Sequence, residues 1–238
     1  MMKINDPNSY QPATELEIIQ QLLPLEDSLV LELGCGRAWM TRQLAERFQP
    51  RQLIATEVDS IQHAKNLLID DLPTVTFCTG GAESIAQADN SIDIVLMLKS
   101  LHHVPVPLMT QGLTEIARVL KPGGLAYISE PIYAGDFNDI LRLFHDEKEV
   151  RTAAFTALIQ AVEMGQFELV EQRFFNAPGH YKDFSEFDER MIQVTHTDHQ
   201  IDDITYRRIR NAFNRHMTDE GAHFLKPSRV DLLRKPLN

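Results

Sequence analysis

The chain has 238 residues, enough for one large domain or a domain with an attached cap, and 43% hydrophobic against 24% charged residues is the balance of a soluble globular protein. A formal net charge of −11, with no Lys/Arg run longer than Arg207-Arg208, sets the molecule against a phosphate backbone. A small-molecule partner is expected, and nucleic acid is not. No apolar run reaches the ~20 residues a bilayer crossing needs, and "MMKINDPNSY" lacks the apolar core of a secretion signal. These features place the protein in the cytoplasm, off the membrane, with Cys35 and Cys78 as reduced thiols. They leave its oligomeric state open.

In chain order, "ATELEIIQQLL" from Ala13 carries Ile18, Ile19, Leu22 and Leu23 at helical spacing and predicts a lead-in helix. From residue 29 to about 130, short apolar runs alternate with helical patterns, the signature of a parallel sheet covered by helices. The expected strands are Leu29–Leu33, Gln52–Glu57, Val75–Cys78, Ile92–Leu98 and Leu125–Ser129, several rich in Val, Ile and Leu as doubly covered strands are. Helices are expected over Trp39–Phe48, over Ser60–Leu68 with Ser60 as N-cap, and over Leu108–Leu120 with "KPGG" at 121–124 as its stop.

Beyond the core, a helical region from Phe137 to about Met164 ends at Gly165 and has a break near "HDEKE". "FELVEQRFF" (167–175) alternates like a strand, "FSEFDERMIQV" and "ITYRRIRNAFNRHM" read as helices, and "SRVDLLRK" (228–235) as a last strand. With no repeat or linker, residues 1–238 form a single domain: a lead-in (1–28), a doubly wound α/β core (29–131), and a helical elaboration with the last two strands (132–238).

The stretch "LVLELGCGRAWM" (29–40) carries the chemistry. Gly34 and Gly36 let a ligand approach the backbone and leave amides open at the start of the next helix. A dinucleotide fingerprint also requires a small residue where Trp39 stands, which predicts a helix held off the strand. Glu32 at the mouth of the turn would repel a pyrophosphate by about 4 kcal/mol at ~4 Å and an effective dielectric near 20. A cofactor bearing an ammonium and a sulfonium is attracted instead, and S-adenosylmethionine (SAM) is such a cofactor. Glu57 ends the second strand, where an acid accepts ribose hydroxyls.

At this point the sequence resembles the class I SAM-dependent methyltransferases of the small-molecule type. The resemblance runs through "VLELGCGRAWM", "IATEVDS", "FCTGGAESI", "NSIDIVLMLKSLHHV" and "LTEIARVLKPGGLAYISEP", in order over residues 29 to 131. It implies a Rossmann-like, mostly parallel seven-stranded sheet whose C-terminal half forms the acceptor side. It also implies that Glu32 and the Gly34–Cys35–Gly36 backbone hold the amino-acid end of SAM and that Glu57, with Val58 beside it, holds the ribose. Gly81, Ala82 and Glu83 would lie along adenine, and Leu98 and Lys99 on the sulfonium side. Gly81 stands where the family usually has an adenine-binding Asp, and Glu83 is the candidate substitute. Tyr10 is a candidate to close over the cofactor, as N-terminal segments do in this family.

For the chemistry, His102 and His103 follow the fourth strand and are the candidate base or acceptor contacts; the competing reading is helix capping or a satisfied buried polar group. Glu130 and Tyr133 are expected to face the acceptor, while His145 and His180 read as packing. "HTDH" (His196, Asp198, His199) reads as a solvated turn, so no metal is expected. No Asn/Asp-Pro-Pro-aromatic tetrapeptide follows the fourth strand, which disfavours the amino-group methylation of DNA and protein glutamine. Phe144, Phe155, Phe174, Phe175, Phe184, Phe187 and Met191 either roof an apolar acceptor pocket or pack the added helices. The expectation is methyl transfer from SAM to an aromatic or apolar small molecule, leaving S-adenosylhomocysteine (SAH). The alternatives are a non-catalytic SAM-binding regulatory or partner module and a nicotinamide-dependent oxidoreductase, the latter opposed by Glu32 and Trp39.

Overall fold

The apolar runs of the core become parallel strands buried on both faces, and the amphipathic segments between them cover those faces. In the computed structural model, which describes residues 1–194 and 199–237, the order is β1 (Gln11–Pro12), α1 (Glu15–Leu22), β2 (Leu29–Leu33), α2 (Trp39–Phe48), β3 (Gln52–Glu57), α3 (Ser60–Asn66), β4 (Val75–Thr79) and β5 (Ile92–Leu98). There follow α4 (Met109–Val119), β6 (Leu120–Pro131), α5 (Asp136–Leu141), α6 (Lys148–Glu163), β7 (Glu168–Tyr181), α7 (Phe184–Phe187), a π-helical turn (Asp188–Ile192), α8 (Asp203–Asn214), β8 (Met217–Thr218) and β9 (Gly221–Arg234).

The sheet runs β1-β7-β9-β6-β5-β2-β3-β4, with β8 pairing β9. Strands β2 to β6 are parallel, and β9 is antiparallel to both β6 and β7. Seven long strands thus carry the fold, with two two-residue strands added at its margins. After β4 at one edge the chain returns to the far side of β2, so the strand order reverses between β2 and β5. Open α/β sheets bind ligands beyond the carboxyl ends of the strands at such a switch point.

One core cluster includes Leu31, Val95, Ile116, Ile128 and Leu158; another includes Ile19, Val30, Leu44, Leu53 and Tyr127. A third is aromatic and lies wholly in the C-terminal half, with Phe137, Tyr181, Phe184, Phe187, Phe213 and Phe224 among its members. Phe184 and Phe187 therefore serve packing. Helix α1 is tied to the sheet by the buried Glu15, whose carboxylate accepts from Tyr127 Oη at 2.6 Å and Ser129 Oγ at 3.0 Å. Thr14 and Glu17 close a reciprocal capping box at its start.

Several local expectations are corrected. Asp59, not Ser60, caps α3, its Oδ1 accepting from Ile61 N at 2.9 Å and Gln62 N at 3.3 Å. Helix α4 ends at Val119, and the "KPGG" expected to form a breaker loop lies inside β6. A Cβ on Gly124 would come within 3.0 Å of Asp93 O, so the glycine serves a close strand approach. Trp39 does not hold α2 off the sheet: left-handed Ala38 (φ +56°) starts the helix with the indole 64% exposed, while Thr41 and Leu44 make the buried face. Strands β7 and β9 extend past their expected ends, pairing Asn176–Tyr181 with Ala222–Pro227. Pro178, Gly179 and Pro227 read locally as breakers, but the extended ladder carries Tyr181 and Phe224 into the aromatic core.

Candidate functional site: a glycine-turn crevice and an adjoining histidine cavity

The glycine turn is built by hydrogen bonds between β2 and β3. Gly34 N and Cys35 N both donate to Thr56 O, at 3.0 and 2.9 Å, and Gly36 N donates to Glu57 Oε2 at 2.7 Å. Gly34 (φ +80°) has no room for a side chain, because a Cβ would lie 2.9 Å from Ser100 Cβ. Ser100 in turn donates to Leu33 O at 2.7 Å. Gly36 (φ +53°) is the opposite case, with no atom within 4 Å of where its Cβ would stand. The backbone there opens onto space, next to an α2 N-terminus that no side chain caps.

Two acids flank this opening. Glu32 is buried and accepts from Thr41 Oγ1 at 2.6 Å; burial chiefly, with the Glu57 charge adding, raises its pKa to about 7 against the pull of that hydrogen bond. Glu57 accepts from three amides, since Val58 N and Asp59 N reach Oε1 at 2.9 and 3.0 Å while Gly36 N reaches Oε2. A carboxylate offers about four lone-pair sites, so one remains for a ligand hydroxyl. Val58 beside it is 67% exposed, an apolar face at the rim. Cys35 is buried, with its thiol pushed up by burial and by both glutamates, and Asn66 Nδ2 donates to Gly36 O at 2.8 Å.

At the end of β4, Ala82 is buried and packs on Gly112, while Glu83 turns back over Gly81. A Cβ on Gly81 would lie 2.3 Å from Glu83 Oε2, so the Glu83 carboxylate fills the space a side chain at position 81 would enter. Leu98 ends β5, followed by Lys99 in a left-handed conformation (φ +59°), its Nζ 3.8 Å from Glu15 Oε2.

Past β5 and β6 the crevice adjoins a cavity of about 280 Å³ lined by Lys99, His103, Phe137, Arg190, Met191 and Lys226, among others. His102 forms part of its wall but is 4% exposed and held on both sides: Nδ1 lies 2.5 Å from Glu130 Oε2 and Nε2 3.4 Å from Glu147 Oε1. Burial alone would lower its pKa; the two carboxylates outweigh this and raise it to about 9. Glu147 also meets Arg151 Nη2 at 2.5 Å and His145 Nε2 at 3.0 Å. Despite its burial, these partners hold its carboxyl far below the usual range. His102 is therefore held between two acids that favour its protonated form, which weighs against the role of base that its place after β5 suggests. His103 is exposed on the cavity wall, its ring centroid 4.1 Å from that of His102.

His102, His103 and Glu147 bring possible ligand atoms within 4.8 Å of one another. His102 already faces a carboxylate on each side, however, and Glu147 carries Arg151, so ion pairing among these residues balances their charges. Among the other candidates, Tyr10 is placed away from the crevice: its hydroxyl donates to Asn5 Oδ1 at 2.7 Å and its ring packs edge-on to Phe174 of β7, four strands from β2. His180 Nε2 contacts Glu220 O at 2.8 Å on the extended ladder. His196 and Asp198 lie outside the described residues, whereas His199 packs against Phe144 and His145. Sequence reasoning missed Glu15, Glu147, Arg151 and Lys226. The "HDE" before α6 was a signal for Glu147, read as a helix break rather than as chemistry.

Fold and crevice together define a Rossmann-like α/β domain with an open glycine turn at its switch point. Residues 30–124 match the family model of the methyltransferase domain. An uncharacterized methyltransferase of Mycobacterium tuberculosis is 38% identical over 116 residues, covering 49% of this chain and 43% of that relative. The fatty-acid O-methyltransferase of Mycolicibacterium smegmatis is 32% identical over 102 residues, 42% of this chain and 36% of that one. The chain thus spans less than half the length of these relatives. Among solved structures, the YcgJ protein of Bacillus subtilis has a TM-score of 0.60 at 18% identity over 92% of this chain and 97% of its own. The [4+2]-cyclase SpnF has a TM-score of 0.59 at 18% identity over 97% and 86%. Over residues 30–124 the chain is thus similar to the methyltransferase domain, in keeping with the family its motifs resemble. The likeness to SpnF is one of fold, and fold leaves the reaction to the side chains.

Proposed function

We propose that this protein is a SAM-dependent methyltransferase acting on a small-molecule acceptor. The observation that carries this reading is the open backbone at Gly36, set between the acid-bearing ends of β2 and β3 and beside a separate cavity at the ends of β5 and β6. The uncapped α2 N-terminus, beside the open Gly36 backbone, would take the cofactor's carboxylate, with Glu32 drawing its ammonium from below. Glu57 would take a ribose hydroxyl, Val58 would lie against adenine, and Glu83 would accept from the adenine amino group in place of the missing Asp. When bound, SAM supplies an electrophilic methyl group on a sulfonium.

The chain's own residues then have little covalent work. Methyl transfer is an in-line displacement, and holding the acceptor at the cavity end of β5 supplies much of the acceleration. His103, exposed on the cavity wall, would take a proton from an acceptor hydroxyl, with His102, Glu130 and Glu147 behind it. The name of the fatty-acid O-methyltransferase relative is in keeping with a small-molecule acceptor.

Thermal denaturation with SAM and SAH tests the cofactor, because a ligand at about 100 times its Kd stabilises a fold by about 2.7 kcal/mol. The midpoint should rise with both, and Glu57→Ala should abolish the rise. No effect of either at saturating concentration overturns the reading. SAH release in a metabolite screen tests turnover, and SAM binding with no release on any acceptor would favour the non-catalytic binding module.

A further inference from the structure

Lys226 of β9 is a half-buried cation facing the same cavity. Among the described residues no carboxylate lies within ion-pairing distance of it; its Nζ donates to Tyr181 Oη at 3.2 Å and stands 4.1 Å from the Phe137 ring centroid and 5.0 Å from that of Tyr181. Gly179 of the adjacent β7 leaves room for this course, because a Cβ there would fall 2.3 Å from Lys226 Cε. Desolvation chiefly, then the like charges of Lys99 and Arg190, lower its pKa to about 8. Arg190 lies 4.7 Å over the Tyr181 ring, with Glu186 as its ion-pair partner.

An ammonium drawn partly out of water with no carboxylate opposite it is only partly compensated by cation–π contacts. A protein of net charge −11 that sets a half-buried lysine beside Lys99 and Arg190 has assembled a positive cavity lined also by the apolar Phe137, Leu141 and Met191. A ligand complementary to it has an anionic end and an apolar body. We propose that the methyl acceptor is an anionic small molecule whose carboxylate, or other compact oxyanion, is held by Lys226 with Arg190 and Lys99. This rests on the reading of the cavity as the acceptor site and supplies the charge class which that reading leaves open.

The test titrates phenylacetate, phenyl phosphate and the neutral phenylacetamide into the protein, with and without SAH, following binding by calorimetry. At least one anion should bind ten or more times tighter than the amide and weaken with added salt, and which one it is distinguishes carboxylate from phosphate recognition. Lys226→Met should lose at least tenfold in anion affinity and nothing in amide affinity, while Lys226→Arg retains most of the anion binding. Unchanged SAH affinity in Lys226→Met reports an intact fold, since Lys226 lies outside the cofactor crevice. Equal binding of amide and anions, no binding of any probe, or anion binding indifferent to Lys226→Met overturns the proposal. Because the probes are also titrated without SAH, failure to bind SAH sinks the methyltransferase reading and leaves this result separate.

Discussion

His102 and Glu130 share a contact of 2.5 Å between Nδ1 and Oε2, buried at the carboxyl ends of β5 and β6. The other Glu130 oxygen accepts from Leu101 N at 3.1 Å, so one side chain fixes both the ring and the turn that carries it. Glu147 and Arg151, with the rings of His145 and His103, complete the surroundings of this pair.

This arrangement sets a pH dependence. The folded pKa of His102 is raised to about 9 from 6.5, so its contribution to stability is fully present below pH 6.5 and is lost as pH rises to about 9. Glu130→Gln should cost about 3 kcal/mol at pH 6 by leaving the imidazolium short of a partner, and should flatten the decline between pH 6.5 and 9. Denaturation midpoints across that range and an NMR titration of the His102 ring check both outcomes. A wild-type ring titrating near 6.5 would refute the ion-paired arrangement.

Glu32 shifts in the same direction, over a lower pH window. Burial raises its pKa to about 7, so it favours folding when protonated and its contribution is lost as pH rises from 4.5 through 7. Glu32→Gln should therefore stabilise the ligand-free protein at pH 8, by up to about 3 kcal/mol, while weakening SAM. An ammonium nearby favours the carboxylate, so wild-type protein should release a proton on binding SAM near pH 7. Calorimetry in buffers of different ionisation enthalpy measures that release, and none should be seen in Glu32→Gln.

The position of Glu83 over Gly81 predicts a coupled pair. Glu83→Ala should weaken SAM by about tenfold, the loss of one charge-assisted hydrogen bond. Gly81→Asp alone should also weaken it, since the new Cβ collides with the Glu83 carboxylate. The double variant, with Asp at position 81 and Ala at 83, should recover most of the affinity. If the two losses simply add, Glu83 is not the stand-in for the family's Asp.

Gly34→Ala meets both an unfavourable φ of +80° and Ser100 Cβ at 2.9 Å, at a cost of about 1–3 kcal/mol for the backbone alone. Adding Ser100→Gly should relieve the collision but not the backbone strain. A lowered melting temperature for Gly34→Ala, with only partial return in the double variant, is the expected result.

Much of the core was legible because its signals are local. Leu29–Leu33, Gln52–Glu57 and Ile92–Leu98 fall at their expected bounds, since continuous apolar runs ended by turn residues have few other solutions. Trp39 misled because its place in a linear motif was read as a place in space, and one left-handed residue before it turned the indole to solvent. The extended β7–β9 ladder was hidden because antiparallel partners tens of residues apart can accommodate prolines and a glycine that look like breakers in either strand alone.

The sequence by itself determined the alternation of strand and helix, the glycine turn and the sign of the charge beside it, because each depends on residues within one turn of chain. Only the tertiary structure decided what His102, Glu83 and Lys226 do. Glu130 and Glu147 clamp His102 from β6 and the start of α6, Glu83 folds back over Gly81, and Phe137 and Tyr181 enclose Lys226 from α5 and β7. A titratable group takes its character from burial and from the charges around it, and folding, not sequence proximity, brings most of those charges together.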